Sequence, residues 1–424
     1  MKTLFAMLAA SSAMIAQPAW SAERSPEQVA AAALRAAPVF DGHNDVPEAL
    51  RDRYRNVIAG LDFNDTTRAP SADGGPVGMH TDLPRLRRGR VGGQFWSVYV
   101  SASLPEPQAV VAVLEQIDVM KRLMARHPRE LAFVTTADGA AAAMKRGQIA
   151  SLIGMEGGNS IGESLAVLRQ TYELGARYLT LTHSKTLSWA DSATDAPRHG
   201  GLTEFGRQLV REMNRLGMLV DLSHVSEATM MDALDEAKAP VMFSHSGARA
   251  IDGHPRNVPD GVLARLPANG GIVMAVGYPA FLSEAYRQWT ADRAGEDARS
   301  KSLYPGDPEA AAKGLAVWAA AHPRPVATVA QWADHIDHIR RIAGIDHVGL
   351  GGDYDGMEIG PQGAEDVASY PVLFTELARR GYSQSDLEKI ASRNILRVLR
   401  GAERTAAAMK DMAPLETPYV GAGE

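Results

Sequence analysis

The chain has 424 residues, 45% hydrophobic and 22% charged, with a formal net charge of −6 and no cysteine. That usage is ordinary for a globular protein and is long enough for one large α/β domain or two smaller ones. The charge balance argues against a nucleic-acid binder, and the missing cysteines exclude a disulfide framework, a lipobox and thiolate metal ligands.

The N-terminus, "MKTLFAMLAASSAMIAQPAWS" (1–21), pairs a basic start with an apolar stretch and small residues at the −3 and −1 positions before a cut after Ser21. This pattern predicts a secretory signal peptide, too short and too weakly apolar for a permanent span. Residues 22–424 then form a single mature domain. The end, "MAPLETPYVGAGE" (412–424), carries no apolar tail, so the expectation is a soluble exported protein, secreted or periplasmic, without a membrane anchor.

Strand-like runs follow in order: "PVFDGH" (38–43), "GQFWSVYV" (93–100), "ASLIGMEGG" (150–158), "ARYLTLTH" (176–183), "GMLVDLSH" (217–224), "PVMFSHS" (240–246), "GGIVMAV" (270–276) and "HVGLGGDYDG" (347–356). "LAFVTT" (131–136) reads as a short extra strand. Amphipathic segments such as "LTEFGRQLVREMNRLG" lie between them, several stopping at Gly or Pro. Eight apolar strands alternating with helices predict a parallel sheet closed as a (β/α)8 TIM barrel. A doubly wound open sheet is the alternative, but no G-x-G-x-x-G follows the first strand. Residues 281–328 lack a strand pattern and read as an insertion after the seventh strand, helical and more plausibly a surface excursion than a lid.

Polar residues recur at one place in this repeat. His43 and Asp45 end the first strand, Glu156 the third, His183 the fourth, His224 the fifth, His245 the sixth and Asp353 the eighth. In a barrel that end is the face where active sites sit. A lone strand histidine is more often a satisfied core residue, and the pair in "DHIDH" (334–338) reads as surface decoration at helical spacing. Six or seven such groups on one face is different, because their desolvation is costly unless cations satisfy them. Three imidazoles and two carboxylates without a thiolate suit Zn²⁺, with Mn²⁺, Fe²⁺ or Co²⁺ open by the same rule. Five ligands exceed what one catalytic zinc needs, so two ions sharing Glu156 resolve the excess.

Together the motifs "DGHNDVP", "SLIGMEGG", "YLTLTHS…WAD", "VDLSHVS", "FSHSGAR…RNVPD", "VGLGGDYDGM" and "RNILRVL" resemble the membrane dipeptidase (renal dipeptidase) family of the amidohydrolase superfamily. They run in order from about residue 38 to 400, and the combination is specific although each piece is weak. The resemblance implies a barrel with a binuclear zinc centre and hydrolysis of dipeptides by a hydroxide bridging the metals. It implies His43 and Asp45 on the first zinc, Glu156 bridging, and His224 and His245 on the second. It further implies that His183 contacts the substrate carbonyl oxygen, that Arg256 engages the bound dipeptide, plausibly at its carboxylate, and that Asp353 handles the proton. Asp355 is a rival for that last role, and Arg256 has a plain alternative as a surface loop residue.

The chemistry is coherent on its own terms. An amide needs a polarised carbonyl, a nucleophile at neutral pH and a proton for the leaving amine. An arginine can grip a free carboxylate bidentately, which selects a dipeptide over an internal bond. Two departures stand out: mammalian members are disulfide-linked and lipid-anchored, and Asn159 stands where they carry histidine, leaving pocket selectivity open. Another amide, N-acyl amino acid or lactone hydrolase of the superfamily is the second reading, and a non-enzymatic periplasmic binding protein the third. A homodimer is compatible with the sequence, but nothing in it marks an interface.

Overall fold

A computed structural model describes residues 24–70 and 78–416. The signal-like segment 1–21 lies outside the described residues. Nine parallel strands occur: β1 (Val39–Asn44), β2 (Val91–Tyr99), β3 (Leu131–Phe133), β4 (Ile149–Glu156), β5 (Ala176–Thr180), β6 (Leu219–Asp221), β7 (Met242–Ser246), β8 (Ile272–Val276) and β9 (Val348–Gly351). Pairings run β1–β2–β4–β5–β6–β7–β8–β9 and return from β9 to β1, so eight strands close into a barrel. The (β/α)8 TIM barrel expected from the alternation of strands and helices is therefore what forms. The ninth strand, β3, is the short extra one: its three residues pair only with the start of β4, at Ile149 to Ser151.

Strands β1, β4 and β8 are buried along their whole length, as barrel strands must be with helices outside and packed side chains within. Alternation divides them. Phe40, Phe95, Leu152, Tyr178, Leu219 and Met242 gather in one cluster, while Val39, Trp96, Ile153, Leu179 and Val220 join the larger cluster under the helices. Gly154 makes room for the Tyr178 ring, which a Cβ at residue 154 would meet at 2.0 Å.

After β8 the chain forms helices Glu284–Leu303 and Pro308–Ala321, which pack on each other and are otherwise largely exposed. Helix Val329–Ala343 then returns to the barrel with a Thr328–Gln331 capping box. Its inner face carries Trp332, Ile336 and Ile339, and also His335 and His338. The surface reading of "DHIDH" is thus wrong. His335 Nδ1 accepts from the Ala248 N–H at 2.8 Å, and His338 Nε2 bonds Asp260 at 2.6 Å, so both imidazoles are buried as fastenings between helix and loop. Among the described residues no helix is long and apolar enough to cross a membrane.

Candidate metal centre

The local sequence explains how the first two donors are aimed. β1 runs into helix Val46–Tyr54, started by Pro47 in its first turn, and Asp45 is the N-cap residue. Its carboxylate makes no cap hydrogen bond. It turns instead towards His43, with Oδ1 3.3 Å from His43 Nε2. Glu156 closes β4 beside them, with Oε2 3.5 Å from His43 Nε2. Its other oxygen, Oε1, lies 2.8 Å from His224 Nε2, 3.4 Å from His245 Nε2 and 3.8 Å from His183 Nε2. Glu156 therefore offers one oxygen to each of two donor groups.

His183, His224 and Asp353 stand just past β5, β6 and β9 in the connecting loops, not inside the strands where their runs seemed to end. His224 and Asp353 adopt left-handed backbone, with φ of 70° and 64°. Sets of ligand atoms within 4.8 Å of one another join His43, Glu156 and His245; Glu156, His183 and His224; and His43, Asp45 and Asp353. The five expected ligands thus converge with His183 and Asp353 on one site, and Arg256 lines the cavity above it. Asp355 does not join them: its Oδ1 accepts from the His80 N–H at 2.8 Å and holds a neighbouring loop.

Hydroxyl groups behind the imidazoles fix which nitrogen faces inward. His245 Nδ1 lies 2.8 Å from Ser244 Oγ, which lies 2.6 Å from the buried carboxylate of Asp221. His43 Nδ1 lies 3.0 Å from the Tyr178 hydroxyl. Because Ser244 Oγ donates to Asp221, it accepts from His245 Nδ1–H, which leaves that ring's Nε2 lone pair for the centre.

The electrostatics ask for positive charge. Burial would raise Glu156, but His43, His224 and His245 around it hold it well below the usual carboxylate range. Burial and the neighbouring Asp45 push Asp353 well up. Burial holds His224 and His245 well below the ordinary imidazole value, so both rings are neutral donors. His43 is raised against its burial by Tyr178, Asp45 and Glu156. Its Nε2 and the Asp45 Oδ1 are nevertheless buried without a hydrogen-bond partner. Buried polar atoms are normally paired, so these orphans in a thiolate-free set of nitrogen and oxygen donors fit divalent cations.

The centre floors a cavity of about 310 Å³, at the small end of ligand sites. Arg256 is no surface arginine: it is 2% exposed, bonds Ser246 Oγ at 3.4 Å and the His245 carbonyl at 3.3 Å, and lies 5.2 Å from the Phe281 ring centre. Burial lowers it to about 10, still cationic at neutral pH. Phe281 and Tyr278, at the root of the 281–328 segment, line the same cavity. So does Glu48, which the sequence reading missed because an acid in a first helical turn looks like routine dipole complementation. The paired spacing Asp45–Glu48, one turn apart, was the available signal.

Comparison with known proteins agrees with this geometry. The membrane dipeptidase family (peptidase family M19) matches residues 27–413. Dipeptidase 3 of Rattus norvegicus is 40% identical over 395 residues, 92% of this chain and 70% of that protein. The probable dipeptidase PvdM from Pseudomonas aeruginosa shares the fold, with a TM-score of 0.76 over 90% of this chain and 99% of its own at 24% identity. A metallopeptidase from Rhodobacter sphaeroides, solved with a phosphinate mimic of the dipeptide L-Ala-D-Ala, aligns at 25% identity and a TM-score of 0.68 over 86% of this chain and 99% of that one. With the family matching nearly the whole described length, and its metallopeptidase character in keeping with the donors at the barrel mouth, the chain belongs to the membrane dipeptidase family, peptidase family M19.

Proposed function

We propose that this chain is an exported dipeptidase that works with two Zn²⁺, Mn²⁺ or Co²⁺ being substitutes, and cleaves the single peptide bond of a dipeptide. The observation that carries the reading is Glu156, whose two oxygens face two separate histidine-containing donor groups. His43 and Asp45 would hold one ion, His224 and His245 the other, and Glu156 both. When bound, the ions supply a water-derived nucleophile near neutral pH and polarise the scissile carbonyl.

The remaining work belongs to side chains. Arg256, buried and cationic, grips the substrate carboxylate, which requires a free C-terminus next to the bond that breaks. His183, half-buried and held below its ordinary value by desolvation, aims Nε2 at the centre from the side and contacts the carbonyl oxygen as charge develops there. Asp353, 4.0 Å from His43, takes a proton from the attacking water and delivers it to the leaving nitrogen. The small cavity suits a substrate the size of a dipeptide. Export rests on the signal-like pattern of residues 1–21.

The test is metal content of the purified chain together with hydrolysis of a panel of L,L- and L,D-dipeptides, L-Ala-D-Ala included. About two zinc per chain and chelator-sensitive cleavage is the expected result. Bound metal without dipeptide cleavage moves the substrate to another amide or ester; neither metal nor activity overturns the reading.

A further inference from the structure

We infer that Glu48 is a specificity-determining residue that binds the free α-ammonium group of the substrate, in the cavity that Arg256 also lines. The inference rests on the dipeptidase reading and deepens it.

Glu48 follows Asp45 by one helical turn and lines the same cavity as Tyr99, Arg256, Tyr278 and Phe281. The carboxylates that reach Glu48 are Asp45, Asp52, Glu156 and Asp353. Those that reach Arg256 are Asp353, Glu156 and Asp221. Glu156 and Asp353 line the same cavity as Glu48 and Arg256, so a ligand seated over them has an acid and a guanidinium within one pocket. A dipeptide zwitterion carries the matching charges, an ammonium and a carboxylate either side of the scissile bond.

Glu48 also stands outside every set of clustered ligand atoms. Cations seated on His43, Asp45, Glu156, His224 and His245 neutralise the ligand carboxylates and leave Glu48 as an acid with no partner of its own. An incoming ammonium forms a charge-assisted pair with it at the cavity wall. An N-acylated dipeptide has no such charge and leaves the carboxyl unpaired, so the residue discriminates against it.

The test compares wild-type, Glu48→Gln and Glu48→Asp holoenzymes on L-Ala-L-Ala and N-acetyl-L-Ala-L-Ala, with zinc content measured alongside. Loss of a charged hydrogen bond predicts a KM for L-Ala-L-Ala raised about 10–100-fold in Glu48→Gln with kcat nearly kept. Preference for the free over the acetylated substrate narrows by the same factor, Glu48→Asp recovers part of it, and zinc content stays unchanged. An unaltered KM overturns the inference, as does a fall in kcat alone, which makes Glu48 a proton carrier, or loss of zinc, which makes it a ligand. If wild-type protein cleaves no dipeptide, the parent reading fails, and calorimetric binding of the same two peptides decides Glu48 separately. There the wild type must favour the free amine about tenfold or more and Glu48→Gln must not.

Discussion

Replacing Ser244 by alanine removes one oxygen from the middle of a relay that ends on a metal-facing imidazole. Ser244 is fully buried; its Oγ donates to Asp221 Oδ2 at 2.6 Å and accepts from His245 Nδ1 at 2.8 Å. The first bond is to a buried carboxylate and is worth about 1.5–3 kcal/mol; the second, once cut, strands a buried N–H at about 1–3 kcal/mol. Asp221 keeps the Thr180 hydroxyl at 2.5 Å and the backbone N–H groups of Ser223 and Ser244, so it stays anchored and the loss falls towards the lower end, about 3 kcal/mol. Freed from its anchor, His245 samples the other tautomer and other ring orientations. Such outer partners typically contribute about 10–100-fold in metal affinity, equivalent to about 1.4–2.7 kcal/mol. Zinc affinity by competition with a chromophoric chelator and urea unfolding of the metal-free protein read the two effects separately. Zinc affinity within about twofold of wild type, in a folded Ser244→Ala protein, refutes the claim that the relay sets the ligand.

Asp353→Asn should lower kcat about 10²–10⁴-fold while KM and zinc content hold, because it removes the proposed proton carrier without removing a grip on substrate. Steady-state kinetics with metal analysis check this, and loss of zinc would instead make Asp353 a ligand. His335→Gln addresses stability against pH: burial depresses His335 from 6.5 to about 4, so its neutral form is favoured by folding. Its contribution is complete above the unfolded value near 6.5 and is lost as pH falls towards 4, on the order of 3 kcal/mol in all. The difference in urea midpoint between wild type and His335→Gln should therefore shrink across that window, and a pH-independent difference refutes the assignment.

Much of this was legible because barrel chemistry repeats. Each donor follows a short apolar run, so His43, Glu156, His183, His224, His245 and Asp353 announce themselves by position alone. What stayed hidden depends on contacts distant in sequence. Asp221 and Ser244 look like ordinary strand polars until β6 and β7 are laid side by side. The helical spacing of His335 and His338 gives a face but not its direction; Trp332 and Ile336 between them decide it, turning both rings inward. Strand ends were overrun for a related reason: "LTH" and "LSH" remain apolar for a residue or two after the ladder stops, and only backbone angles separate strand from loop. Glu48 was overlooked because its sequence context has a sufficient local explanation, and only the cavity wall reveals a second one.

The left-handed backbone at His224, Asp353 and Asp355, with φ of 70°, 64° and 70°, has a bearing on engineering. Non-glycine residues in that region are strained by about 1–2 kcal/mol each. Selection for heat resistance alone would therefore favour glycine at these three positions, and two of those changes dismantle the catalytic face. A directed-evolution campaign on this scaffold that scores folding without scoring turnover should drift towards well-folded, inert barrels. Libraries that spare these loops and explore the exposed helical pair at Glu284–Leu303 and Pro308–Ala321 can gain robustness while the chemistry survives.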